Sequence, residues 1–172
     1  MALIRRETER DRAAVHAVHR AAFATAPYAS GREADLVDAL RAGQEWEPRL
    51  SLVAEVDGKV AGHVVCSHGS LAGERLLGLG PIGVEPSLQG RGIGSALMHA
   101  VIGSADARDE PGIVLLGDPG FYGRFGFTLA EEHGVLPEHE RWAPHFQVRA
   151  LANWHGGLRG RFGFPPAFAE FG

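Results

Sequence analysis

A glycine-rich turn is the part of the sequence whose residue types and spacing are best suited to chemistry. Gly90, Gly92 and Gly94 occupy alternate positions between an apolar run that ends at Val84 and a helical pattern that begins at Ile93. Because glycine has no Cβ atom, backbone N–H groups can surround an anion at the start of a helix, where the first-turn donors have no partner inside the helix. The turn therefore predicts a phosphate site, and its ligand is expected to be a pyrophosphate.

The spacing of the glycines does not fit the two common nucleotide loops. A dinucleotide-binding loop that starts at Gly90 or Gly92 needs its third glycine at Ser95 or Leu97, and neither position is glycine. A P-loop needs a Lys-Ser or Lys-Thr pair after its last glycine, and none follows here. A nucleotide-binding protein that uses the turn alone stays open as an alternative of another functional class.

Two short motifs together resemble one family. The residues Gln89, Gly92 and Gly94 follow the (Gln/Arg)-x-x-Gly-x-(Gly/Ala) signature of the GNAT N-acetyltransferase superfamily. Further along the chain, the segment Phe121–Phe127, which contains Tyr122, resembles the Tyr-x-x-x-Gly-Phe segment that follows the fifth strand in these enzymes. The two motifs occur in the order and at the separation that this superfamily shows.

The resemblance implies a fold as well as an activity. The stretch Leu79–Phe127 is most similar to the bacterial YhbS-like predicted N-acetyltransferases, and the implied fold class is α/β (α+β). We expect a mixed, mostly antiparallel sheet of six or seven strands, splayed between the fourth and fifth, with helices on both faces. We also expect a single domain over residues 1–172, a core motif region over 76–128 and an irregular tail over 153–172.

Local patterns place the elements independently of the resemblance. Apolar periodicity and turn residues predict helices and strands, and Asp57-Gly58 is a strong hairpin signal. Glycine and proline interrupt the fourth strand, which indicates a bulge or splay there. The expected helices run from the capping motif at Thr8 to about Phe23, over Glu33–Arg41, and from Ile93 to about Arg108. The expected strands are Leu3–Arg6 at an edge, Leu50–Val56, Lys59–Ser67, Leu76–Val84, Ile113–Gly117 and Phe146–Leu151.

The resemblance assigns the cofactor and its contacts. Acetyl-coenzyme A is the implied cosubstrate, and its pantetheine arm pairs with the backbone of the fourth strand as if it were another strand. The Val84 N–H is then a donor to the thioester oxygen. Arg91 is expected either to contact a phosphate directly or to be a solvated turn residue, and the sequence favours neither role over the other. The residues implied in cofactor binding are Ile82, Gly83, Val84, Gln89, Gly90, Arg91, Gly92, Ile93, Gly94, Ser95 and Tyr122.

Tyr122 is the strongest candidate for a catalytic side chain. In the superfamily the matching tyrosine lies beside the cofactor sulfur, and a phenol with a pKa of about 10 can protonate a departing thiolate. The alternative is an aromatic core residue that packs beside Phe121, Phe125 and Phe127. We expect Tyr122 to act as the general acid.

No position identifies the general base securely, because superfamily members take it from different places or use a chain of water molecules. His63 shares one face of the third strand with Ala61 and Val65, and a histidine titrates near neutral pH. A hydrogen-bonded structural histidine is the alternative. Glu33 lies on the second helix, which the resemblance places beside the acceptor site, although the sequence favours a solvated helix charge at this position. The other candidates are Glu55, Glu85 and Asp118.

Composition limits the partners of this chain. The net charge of −4 argues against general nucleic-acid binding and favours a cationic amine substrate. No apolar run approaches the roughly 20 residues that span a bilayer, so we expect no membrane association and a cytoplasmic location. His16 and His19 lie three apart without a carboxylate at ligand spacing, so no metal is expected. A homodimer would agree with the resemblance.

These observations predict an enzyme that transfers an acetyl group from acetyl-CoA to a primary amine directly, in a ternary complex. Cys66 lies within the third predicted strand and is not placed to carry the acetyl group covalently. A non-catalytic acyl-CoA-binding or regulatory module of the same fold is the alternative, and the presence of Tyr122 argues against it. The sequence does not identify the acceptor amine.

Overall fold

The chain folds around one mixed sheet. The structure is a computed structural model that describes residues 1–171, and within that range it has nine strands and five α-helices. The strands are β1 (Leu3–Arg6), β2 (Trp46–Val56), β3 (Lys59–Leu71), β4 (Glu74–Val84), β5 (Gly112–Leu116), β6 (Thr128–Leu129), β7 (Val135–Leu136), β8 (Phe146–Ala150) and β9 (Gly160–Gly163). The helices are α1 (Arg12–Phe23), α2 (Glu33–Ala42), α3 (Ile93–Ala107), α4 (Pro119–Tyr122) and α5 (Ala167–Phe171).

The strand order confirms the expected fold class. The main path runs β1-β2-β3-β4-β5-β8-β6, and its only parallel pair among the described residues is β4 with β5. β1 lies at the edge, and β2 and β3 form the hairpin at Asp57-Gly58, where both residues have positive φ. Two further strands, β7 and β9, pair in parallel with each other, and β9 also pairs with β3. The sheet therefore has more strands than predicted, because the extra ones are too short to give a period-two pattern.

The sheet parts between β4 and β5, as predicted. The two strands pair only at Leu77 with Ile113 and at Gly78 with Val114, although β4 continues to Val84. The register of β4 against β3 also shifts in this region, which marks the expected bulge. A gap therefore opens beside the second half of β4, and one edge of that strand has no neighbouring strand.

Helices cover both faces of the sheet. Successive strand residues point to opposite faces, so Leu52 packs with the α3 residue Leu97, whereas Val53 packs with Val15 of α1 and Val37 of α2. The apolar stripe of each helix supplies these contacts. No helix within residues 1–171 is long and apolar enough to cross a membrane.

The expectation of an irregular tail over residues 153–172 is wrong. β9 and α5 lie within it, and the side chains of Leu158 and Phe162 are buried in a core cluster with Leu71 and Phe146. The sequence Gly-Arg-Phe-Gly of β9 contains a single large apolar residue, so it shows no alternation that could predict a strand. The tail forms part of the core.

A chain of buried polar side chains connects α1 with the sheet. His19 Nε2 lies 2.8 Å from His63 Nδ1, and His63 Nε2 lies 2.8 Å from Ser51 Oγ. The Ser51 hydroxyl donates to Glu7 Oε2 over 2.7 Å, and the other oxygen of Glu7 pairs with Arg41. His19, His63 and Ser51 are all fully buried, so these groups depend on one another for hydrogen bonding.

The Glu7 carboxylate determines which group donates and which accepts in each hydrogen bond along this row of buried side chains. A carboxylate paired with arginine only accepts, so Ser51 donates to Glu7 and accepts from the His63 Nε2–H. Burial lowers the pKa of both histidines, which keeps them neutral. His63 Nδ1 then accepts from the His19 Nε2–H. His19 Nδ1 is left with a lone pair and no protein partner among the described residues.

We predict that the protein loses stability as the pH falls from about 6.5 to about 4. Burial lowers the pKa of His19 from 6.5 to about 4, so below pH 6.5 the unfolded chain binds a proton that the folded chain does not. The contribution of neutral His19 to the free energy of unfolding is fully present above pH 6.5. About 3 kcal/mol of that free energy is lost when the pH reaches 4. Urea unfolding across this range measures the loss.

His19→Gln provides the control, because its amide nitrogen can still donate to His63 but does not titrate. The variant should show a shallower decline of unfolding free energy over the same pH range. An equal decline in both proteins would contradict the assignment to His19.

Candidate active site

The gap beside β4 contains a first cavity of about 500 Å³, here called the loop cavity. Its walls are the end of β4, the glycine-rich turn, the start of α3, the end of α1, and Phe121 with Arg124. Nine of the residues predicted to bind the cofactor line it. They are Ile82, Gly83, Val84, Gln89, Gly90, Gly92, Ile93, Gly94 and Ser95.

The turn is shaped to present backbone N–H groups to this cavity. Gly90 and Gly92 have φ values of 78° and 83°, in the left-handed region that favours glycine, and Gly92 is the N-cap of α3. A Cβ atom on Gly94 would meet only a methyl carbon of Val84, at 3.9 Å, so the space above it is open. The first N–H groups of α3 therefore face an open cavity that suits an anion.

Arg124, and not Arg91, brings a positive charge to the loop cavity. Arg91 is exposed and does not line it. The guanidinium of Arg124 lies over the Phe121 ring, 4.8 Å from its centroid, and its Nε donates to the Phe121 carbonyl over 3.3 Å. The sequence contains no local signal that the segment after α4 folds over the turn, so this position of Arg124 was not predicted.

The open edge of β4 offers hydrogen-bonding groups in the same cavity. The Glu85 N–H donates to the Ala61 carbonyl of β3 over 2.8 Å. Because N–H and C=O directions alternate along a strand, those of Ile82 and Val84 point away from β3, into the gap. The Val84 carbonyl accepts from the Gln89 side chain over 3.1 Å. The Val84 N–H is thus oriented toward a ligand in the gap, where the predicted role requires it.

Tyr122 lines a second space, the central cavity, of about 210 Å³. It adjoins the loop cavity, because Phe23 and Ile82 line both. The tyrosine ring lies so close to Gly117 that a Cβ atom there would be 2.4 Å from it. Burial and the charge of Asp118 raise the pKa of Tyr122 to about 12, so the phenol is protonated at neutral pH.

A third space, the outer cavity, has a volume of about 610 Å³. Five residues line both it and the central cavity. They are Glu33, Leu79, Gly80, Pro81 and Leu116. Residues 138–142 and the segment 164–169 supply the remaining walls. The three cavities therefore adjoin one another along the gap between β4 and β5.

Glu33 is the one predicted base candidate that lines these cavities. Its Oε1 accepts from the Ser30 N–H over 2.7 Å, which fixes the carboxylate at the start of α2. Its Oε2 is buried and has no hydrogen-bond partner among residues 1–171. This oxygen is therefore available to an amine.

The structure does not bring the other base candidates to the cavities. His63 is fully buried with both ring nitrogens engaged, so the expectation of a base in contact with the acceptor does not fit its position. Glu55 pairs with Arg5 over 2.9 Å. Asp118 caps α4 by accepting from the Gly120 N–H, and Glu85 precedes the glycine turn.

His16 has carboxylate neighbours that the sequence did not predict. Asp35 and Asp38 of α2 lie beside it, and the possible ligand atoms of the three residues lie within 4.8 Å of one another. Adjacent turns of α1 and α2 bring them together, which the spacing within α1 alone could not show. Asp38 already pairs with both His16 and Arg41, and the aspartates are exposed.

Comparison with known proteins agrees with this geometry. The sequence matches the acetyltransferase (GNAT) family over residues 14–127, which is more than half of the chain. It is 34% identical over 154 residues to the uncharacterized N-acetyltransferase YhbS of Escherichia coli K12, with 88% of each chain covered.

Two solved structures share the fold and a coenzyme A ligand. The crystal structure of YhbS from Escherichia coli in complex with CoA has a TM-score of 0.89 and 33% identity, covering 99% of this chain and 93% of its own. A GNAT family acetyltransferase from Brucella melitensis in complex with acetyl-CoA has a TM-score of 0.82 and 35% identity, with 98% of both chains covered. With the parted sheet and the glycine turn, these matches show that the chain belongs to the GNAT family of acetyltransferases.

Proposed function

We propose that this protein transfers the acetyl group of acetyl-CoA directly to a primary amine, with both substrates bound together. The observation that carries the proposal is the set of three adjoining cavities, which are lined in turn by a glycine turn suited to an anion, an open strand edge and a protonated tyrosine. The structures of two relatives in complex with acetyl-CoA and CoA support the choice of cosubstrate.

The loop cavity is proposed to hold the donor. The pyrophosphate would accept hydrogen bonds from the N–H groups of the glycine turn and the first turn of α3, and Arg124 would add a positive charge. The pantetheine arm would pair with Ile82 and Val84 along the open edge of β4. The thioester oxygen would then accept from the Val84 N–H, which stabilises the negative charge that develops there during attack.

The central cavity is proposed to hold the reacting atoms. The amine attacks the thioester carbon, a C–N bond forms and the C–S bond breaks. The departing thiolate takes the proton of Tyr122, which is protonated at neutral pH, and the second proton that the nitrogen loses as the amide forms restores the phenol. Direct transfer is favoured because Cys66 is fully buried and lines none of these cavities, and because burial raises the pKa of its thiol.

Glu33 is proposed to receive the amine. Glu33 lines both the central and the outer cavity and has a partnerless Oε2, so it is proposed to pair with an ammonium group and to accept the first proton that the nitrogen loses. A carboxylate in this place both draws the cationic amine inward and yields the neutral nucleophile.

Gly94→Leu should weaken CoA binding at least about tenfold, because the new side chain enters the space meant for the pyrophosphate. Leucine is favourable in a helix, so the fold should remain stable. Isothermal titration calorimetry with CoA measures the effect. Gly103→Leu is the matched control, since Gly103 is exposed on the same helix and a Cβ atom there has no neighbour within 4 Å. Equal CoA affinity in both variants would contradict the proposed pyrophosphate site.

Tyr122→Phe should lower kcat for acetyl transfer about 100-fold while leaving CoA affinity within about twofold, because only the proton donor is removed. A thiol-release assay with saturating amine measures kcat. The chain has one other tyrosine, Tyr28, which is fully exposed, and Tyr28→Phe serves as the control. A fully active Tyr122→Phe protein would remove the assigned acid. CoA binding by the wild-type protein without any acetyl transfer would favour a non-catalytic module.

A further inference from the structure

We propose that the acceptor is a monoamine with an apolar body about the size of an aromatic ring and with no second positive charge. This inference rests on the proposed function, and it concerns the outer cavity. Three features carry it: the buried, partnerless carboxylate oxygen of Glu33, the apolar walls, and the charges at the far end.

The amine end is defined by Glu33. Glu33 lines both the outer and the central cavity, and its Oε2 is buried without a hydrogen-bond partner among residues 1–171. Tyr122 also lines the central cavity, so an ammonium group bound to Glu33 is adjacent to the proposed site of transfer. A free α-amino acid carries its own carboxylate next to the amine, and two carboxylates at this distance repel each other in a partly buried site. The site therefore favours an amine whose neighbouring atoms are uncharged.

The body of the acceptor faces apolar walls. Leu116 is 41% exposed at the end of β5, which is high for a leucine, and it lines both the central and the outer cavity. Trp142, Phe164 and Phe168 add half-buried aromatic surfaces to the outer cavity. An apolar ligand that covers these side chains removes their surface from water, which favours binding in proportion to the area buried.

The far end of the outer cavity does not attract a second cation. Glu138 and Arg141 both line it, away from the residues shared with the central cavity. One carboxylate oxygen of Glu138 accepts from the Phe164 N–H over 3.0 Å, whereas Arg141 is exposed and has no ion pair within residues 1–171. The opposite charges of Glu138 and Arg141 leave this end without a net attraction for a cation, and a second ammonium group would have to leave water to lie against the apolar walls, so polyamines are disfavoured.

A panel of amines tests the substrate class with saturating acetyl-CoA. The value of kcat/KM for 2-phenylethylamine should exceed that for n-butylamine by about tenfold or more, because the ring fills the apolar cavity. Phenylalaninamide should be acetylated in preference to phenylalanine, and spermidine should be poor. A preference for n-butylamine, phenylalanine or spermidine would overturn the inference.

Paired variants test where the acceptor binds. Leu116→Ala should raise KM for 2-phenylethylamine by about tenfold. Leu136→Ala should not, since this leucine is 47% exposed and lines none of the three cavities. Glu33→Gln should lower kcat/KM and move its pH profile, whereas Asp35→Asn on the same helix should do neither. Equal effects within either pair would contradict the inference.

Failure of this inference is distinguishable from failure of the proposed function. If spermidine or another hydrophilic amine is the preferred acceptor, the proposed function stands and the substrate class is wrong. If no amine in the panel is acetylated although calorimetry shows acetyl-CoA binding, the substrate class is also wrong and only donor binding is retained. If acetyl-CoA does not bind, the proposed function itself fails.

Discussion

The structure of this protein depends on the separation of β4 from β5. Hydrogen bonding between them ends at Gly78 and Val114, while β4 continues for six more residues as the wall of a gap. Unpaired backbone groups in a gap cost free energy unless a ligand or water satisfies them. The glycine turn, the start of α3 and Tyr122 all lie around that gap, so the same parting that exposes the strand edge also positions the groups around it.

Close packing behind the gap holds its walls in place. A Cβ atom on Gly83 would lie 2.8 Å from His19 Nδ1, so this glycine lets α1 approach β4 directly. His19 is in turn oriented by His63 and, through Ser51, by Glu7. The buried polar chain therefore fixes the distance between α1 and the strand that is proposed to hold the thioester, although it does not itself reach the cavities.

Local sequence signals were sufficient to predict the part of the site around the loop cavity. The glycine turn, the interrupted strand and Tyr122 each lie within one continuous segment. The family resemblance that they carry predicted the fold, and the glycines predicted an anion site at the loop cavity. Arg124, the contacts of His63 and the carboxylates beside His16 were missed. Their partners lie on elements that are far apart in sequence, and a single chain pattern contains no information about such contacts.

There is a physical reason why the loop cavity could be predicted from the sequence and the outer cavity could not. The loop cavity is built largely from backbone groups of β4, the turn and α3, so its requirements appear as glycines at fixed spacing. The outer cavity is built from side chains of α2, the end of β5, residues 138–142 and the segment 164–169, which only the folded tail brings together. Substitutions on these side chains can change the proposed acceptor site without altering the backbone that is proposed to bind acetyl-CoA. Acceptor specificity is therefore expected to vary among proteins that share this turn, and it must be determined from the side chains of the outer cavity.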